Sequence, residues 1–259
     1  MLDVTIGVPL IILLVAIAFL SGIGITTIGP GGIFLTIALY SLTPVSSGTV
    51  AGTAHATFIS AGLVGSAVYV HSGEMKTGEA RMMALILSLS SIIGALIGTY
   101  VNSFVPRTIF GLLLGIVAMS TGITIIYRER RDLSPVYQLN VARREGQVIL
   151  GVLGFALGVI SSLLGVGGPV IAVPALILIG VPMLLALAVA QVQSIIIATF
   201  ATTGYLIQDN VSVPLVALVG LPLLAGVVVG WKVAHLIDPA RLKTVLGIVL
   251  IVVGPYLTL

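Results

Sequence analysis

Ten apolar runs, almost empty of charge, take up most of this chain, at residues 6–28, 32–43, 48–70, 82–101, 106–127, 148–163, 168–180, 183–207, 213–236 and 241–258. Lipid gives a backbone N–H or C=O nothing to bond to, so runs of this kind are stable as helices that satisfy their own main chain. Composition agrees. Hydrophobic residues are 58% of the 259 and charged residues 7%, too little polar surface to cover a water-soluble globule. With about 20 apolar residues needed per crossing, the expected fold is an all-α polytopic membrane protein.

The runs come as five and five. Between them, residues 128–147 read RERRDLSPVYQLNVARREGQ, where a Ser134-Pro135 pair breaks any helix and much of the charge collects. The expected organisation is therefore a first transmembrane repeat at 1–127, a cytoplasmic basic loop at 128–147 and a second repeat at 148–259. The two sets align. GIGITTIGPGG from Gly22 overlays GVISSLLGVGG from Gly158, Tyr69 and Tyr205 keep the same offset, and GALIG at Gly94–Gly98 meets GVVVG at Gly226–Gly230 after a four-residue deletion. Glycine pairs four apart, with no polar neighbours, read as helix-crossing positions.

Charge gives the orientation. If each half crosses five times, the halves are inverted and one face receives Lys76, Arg81, Arg128, Arg130, Arg131, Arg143, Arg144, Lys232, Arg241 and Lys243, with Arg107 alone opposite. The positive-inside rule prefers that arrangement over four crossings per half. The second run of each half is short, about 13 residues or roughly 20 Å of helix. Eight long transmembrane helices plus two short helices, each following a glycine-rich break, are expected.

The breaks are the sharpest functional signal. Short, glycine-interrupted apolar segments at matching places in two halves point to the binding site of a secondary transporter. Irregular backbone survives at membrane depth only against protein or a wet cavity. A short helix starts after each Gly-Gly pair, so its free N–H groups and positive dipole end face the break and favour an anion. Gly31, Gly32, Gly167 and Gly168 are the expected points of approach. Thr26, Thr27, Ser161 and Ser162 lie in the breaks and are either ligand donors or helix-packing residues.

A second polar set follows each short helix: Thr53, His55 and Thr57 in one half, Gln191, Gln193 and Ser194 in the other, with His55 set against Gln191 and Thr57 against Gln193. His55 is the only ionisable side chain well inside a run. It reads either as a proton relay, hence possible proton coupling, or as a neutral ring bonded to a neighbouring carbonyl. His71, Glu74, Lys76, Glu79 and Arg81 read as a solvated connector. No HExxH pair, phosphate-binding GxxxxGK[ST] loop, cysteine or pair of intramembrane aspartates is present, which excludes the corresponding enzymes and metal sites. The expected partners are a small anionic substrate and membrane lipids, whose headgroups account for the basic residues better than nucleic acid does.

LGVGGPVIAVPAL, from Leu164 to Leu176, resembles the signature of the TauE/SafE family of sulfite exporters and 4-toluene sulfonate uptake permeases. The first-half copy, IGPGGIFLTIALY from Ile28, departs from it at Pro30 and at Ala38, which stands where Pro174 stands in the other copy. The resemblance implies a permease in a prokaryotic inner membrane, moving small sulfur-containing anions such as sulfite or sulfonates without a bound cofactor. A passive anion channel of the same architecture is the alternative.

Overall fold

The computed structural model describes residues 7–71, 73–131, 139–234 and 239–258. Among them the chain forms ten helices: α1 (Val8–Thr27), α2 (Gly32–Leu42), α3 (Ser47–His71), α4 (Gly78–Asn102), α5 (Arg107–Arg131), α6 (Arg144–Leu164), α7 (Gly168–Leu178), α8 (Met183–Ile207), α9 (Val213–Ala234) and α10 (Pro239–Thr258). Each apolar run has become one helix. The Ser134-Pro135 pair lies outside the described residues.

Helix α5 runs on to Arg131 and α6 starts at Arg144, so both ends of the expected 128–147 loop are helical, and the start of α4 also differs from expectation. The Thr77 hydroxyl caps α4 by accepting the Ala80 N–H at 3.2 Å, so α4 starts at Gly78 and takes in Glu79 and Arg81. Those two residues are thus helical, and the Arg81 Nε donates back to the Met75 carbonyl at 3.0 Å. Among the described residues seven helices are long and apolar enough to cross a membrane, and the shorter apolar stretches are Gly32–Leu42, Gly168–Leu178 and Gly247–Leu257; α10 as a whole spans Pro239–Thr258, as long as α1.

Packing follows a pseudo-symmetric repeat. The largest interfaces pair α4 with α6, α1 with α9, α5 with α10 and α3 with α8. Exchanging the halves converts the first pair into the second and leaves the other two unchanged. Glycines set the matching crossings. Gly22 faces the α9 main chain at Leu223 and Val227, while Gly226 and Gly230 face Phe19 and Ile23 of α1. In the other half Gly158 faces Ser91 and Ala95, while Gly94 and Gly98 face Phe155 and Val159. A Cβ at any of these would overlap the opposite backbone, which is why small residues dominate helix contacts in lipid.

At the centre, α3 and α8 lie antiparallel. Gly52 rests against Tyr205 and Asn210, Gly62 against Ile195 and Gly65 against Gln191. The short helices α2 and α7 are 11 residues each, about 16 Å long, and their buried N-terminal ends point inward to this central pair.

Candidate functional site

Each break begins as a helix that runs out of main-chain partners. At the end of α1 the N–H groups of Ile28 and Gly29 both return to the Gly24 carbonyl at 3.1 Å. At the end of α6 those of Gly165 and Val166 return to Ser161, at 2.8 and 3.4 Å. The turn that follows needs a left-handed residue, and Gly29 (φ 103) and Gly165 (φ 65) supply it at equivalent positions. The next glycines then differ. Gly167 is also at positive φ (78), whereas Gly31 is right-handed and is small because it packs onto the main chain of Gly24 and Ile25.

Between the two breaks lies a cavity of about 10 Å³ for the centre of a water, room for a single molecule. Gly29 and Gly32 border it from one half and Gly167 from the other, with Phe58 of α3 and Gln191 and Ser194 of α8 completing it. The starts of α2 and α7 therefore open onto one space. No carboxylate lines it. Ser194 is 4% exposed, and its hydroxyl makes no hydrogen bond among the described residues. Pro169, which has no N–H, removes one donor from the first turn of α7.

Side chains from both halves hold the broken ends, in matching pairs. Gln191 Nε2 donates to the Ile25 carbonyl at 3.2 Å, and His55 Nε2 donates to the Ser161 carbonyl at 3.1 Å. A carbonyl only accepts, so Nε2 carries the hydrogen, and Nδ1 of the buried ring has no partner. The ring lies near-parallel to Tyr205 at 6.5 Å and edge-on to Phe58 at 6.2 Å. Tyr69 Oη donates to Thr26 O at 3.1 Å and Tyr205 Oη to Ser162 O at 2.8 Å. Each break is thus held by one residue of its own half, Tyr69 or Tyr205, and one of the other half, Gln191 or His55.

The expected site residues separate into three groups. Gly32, Gly167, Gln191 and Ser194 line the cavity, and Gly168 packs against Ser194, whose Cα a Cβ at Gly168 would approach to 3.0 Å. Gly31 and His55 support the breaks from behind. Thr53, Thr57 and Gln193 do not reach this cavity: Thr53 Oγ1 accepts the Ser212 N–H at 3.1 Å, Thr57 bonds to the Thr53 carbonyl at 2.8 Å, and the wholly buried Gln193 amide has no partner. Among the hydroxyls in the breaks, Thr26 donates to Val227 O at 2.9 Å, Thr27 to Ile23 O at 2.8 Å and Ser162 to Val159 O at 3.2 Å, leaving Ser161 Oγ unpaired.

Three participants were missed in the sequence. The Thr36 hydroxyl of α2 bonds to the Gly165 carbonyl, joining one half to the other's break. Arg107 donates to the carbonyls of Tyr40, Thr43 and Val45 at the end of α2 and stacks over the Tyr40 ring at 4.6 Å. Phe58 sits directly at the cavity. Its signal was available, since the offset that pairs His55 with Gln191 also pairs Phe58 with Ser194.

The sequence pattern of a family described as "Sulfite exporter TauE/SafE" matches residues 14–257. The chain is similar to the Bacillus subtilis (strain 168) protein named "Probable membrane transporter protein YdhB", with 26% identity over 238 residues covering 90% of this chain and 94% of that protein. No solved structure matches.

Proposed function

The chain belongs to the sulfite exporter TauE/SafE family, whose members are transporters and not enzymes, and from that premise we propose that it is a secondary transporter of sulfur-containing oxyanions such as sulfite or organosulfonates. The observation that carries this reading is the single cavity onto which the starts of α2 and α7 both open, bordered by the Gln191 amide and the unpaired Ser194 hydroxyl. An anion placed there meets the positive ends of two helices and neutral donors, and no carboxylate opposes it.

On this reading the halves form an inverted repeat. The antiparallel course of α3 and its counterpart α8 supports that, as does the gathering of Lys76, Arg81 and Lys232 at one set of helix ends with Arg107 at the other. The basic end of α5 and the basic start of α6 then face the cytoplasm of a prokaryotic cell, and the protein resides in its inner membrane. Phe58 and Ser194 each lie near the middle of a 25-residue helix, which puts the anion near the midplane. Gly32, Gly167 and Gly168 admit it to main-chain donors while Gly31 lets the first break close. Thr53, Thr57 and Gln193, buried away from the cavity, would meet the anion only in another state of the transport cycle. Alternating access follows if one repeat rocks against the other around this point.

Uptake and counterflow in proteoliposomes, with sulfite, thiosulfate, sulfonates and carboxylates at two pH values, test the reading. Saturable uptake, with counterflow of sulfur oxyanions and loss of at least tenfold in Gly168→Val, is the expected result. A flat response to every anion refutes it. Flux that never saturates and shows no counterflow identifies a passive channel instead, and a rate that follows the proton gradient identifies proton coupling.

A further inference from the structure

Resting on that reading, we infer that the Phe58 ring occupies the seat of the anion in this closed state, and that its size sets the largest anion the protein moves. A Cβ built on Gly32 would stand 3.2 Å from Phe58 Cζ, and one on Gly167 would stand 3.4 Å from Cδ2. The ring is therefore wedged between the main chains of the two breaks, where the two helix starts converge. It is 2% exposed, and the edge-on His55 ring braces it from behind.

The other half shows what the position looks like without a ring. Ser194 occupies the matching place on α8 and brings only its Cα and Cβ, at 3.0 and 3.1 Å, to where a Cβ of Gly168 would be. The remaining space holds one water, whereas sulfite has four heavy atoms and an aryl sulfonate more than ten. Either anion enters only if the Phe58 ring leaves. A side chain that every substrate must push aside, and that stays packed beside the seat, acts as a gauge, because the smaller it is the more room the substrate receives.

The experiment compares initial rates of sulfite and 4-toluenesulfonate uptake in proteoliposomes of the wild-type chain, Phe58→Leu and Phe58→Ala. Each variant is first checked by size-exclusion chromatography in detergent. The ratio of 4-toluenesulfonate to sulfite rates should rise at least tenfold in Phe58→Ala and by an intermediate factor in Phe58→Leu, which carries the comparison where the alanine variant is not monodisperse. An unchanged ratio in folded variants overturns the gauge while leaving the transport assignment intact. Failure of both variants to fold also overturns it, since the ring is then a structural element alone. A wild-type chain that moves neither anion removes the assignment itself and the gauge with it.

Discussion

Replacing His55 decides between the two roles its position allows. In the structure its Nε2 holds the Ser161 carbonyl at 3.1 Å, while Gln191 does the same for Ile25 at 3.2 Å. If the imidazole is a pin, a glutamine serves equally well there, because its amide donates as Gln191 does. The cost of His55→Ala has two parts. A buried hydrogen bond contributes a net 0.5–1.5 kcal/mol, roughly, and Ser161 is not orphaned by its loss, since it keeps the Gly165 N–H at 2.8 Å. The contacts with Tyr205 and Phe58 add about 0.5–1.5 kcal/mol each. The sum is about 1.5–4.5 kcal/mol, which for a chain of this length lowers an apparent Tm by roughly 3–18 °C. His55→Gln keeps the donor and most of the volume, so its loss should stay below about 4 °C. Thermal scans in detergent at a fixed rate measure both. Equal destabilisation by Gln and Ala would refute the pin. Proteoliposome rates across pH then address the relay: a pin predicts the same profile for wild type and His55→Gln, and a flattened profile in the folded glutamine variant shows that the imidazole carries protons.

Other residues give simpler outcomes. Tyr205→Phe removes the 2.8 Å bond to Ser162 and should lower stability by about 1 kcal/mol, seen as a fall of a few degrees in apparent Tm, with Tyr69→Phe behaving alike. Arg107→Lys should recover less than half of the stability lost in Arg107→Ala, because a point charge cannot fork between the three carbonyls that close α2. Gly167→Ala places a Cβ at φ 78 and should cost about 1–3 kcal/mol through strain alone, since nothing lies closer than 3.4 Å to that Cβ. Gly226→Leu should separate α1 from α9 and reduce the yield of monodisperse protein, whereas Gly151→Ala, with open space around it, should not.

Fold class, the ten helices and the duplication were legible in the sequence because they depend on one-dimensional signals: lengths of apolar runs, absence of charge and a repeated order of glycines. The start of α4 was less so. Glu79 and Arg81 look like a solvated connector until the Thr77 cap is seen to pull them into the helix. The polar residues of α3 and α8 were visible as a set, yet their separate duties were not. Thr53 and Thr57, four apart, share one side of α3, while His55, two from each, turns to another, and only the neighbours of each side reveal whether it meets the breaks, a loop or the cavity. Thr36 was illegible for a related reason, as its partner lies 129 residues away in the other repeat.

The two halves agree at most of the contacts that hold the breaks and disagree at the proposed seat of the anion. Ile25 and Ser161, Thr26 and Ser162, Tyr69 and Tyr205, and the glycines of both crossings form matching pairs, and in each pair the bond or contact runs to main chain. A main-chain partner is indifferent to sequence, so such contacts persist while side chains drift, and they keep two breaks in register. Two mismatches fall at the cavity. Phe58 faces the cavity opposite Ser194, and Pro169 withdraws a donor from α7 where α2 has Ile33. On the proposed reading, an anion seated between the breaks would meet a polar hydroxyl and amide on the α8 side and, on the α3 side, the Phe58 ring it has pushed aside. That division would suit the proposed solute, a charged oxyanion head with a less polar remainder, and on the proposed reading it makes the α3 side, through Phe58, the one that decides selectivity among such solutes.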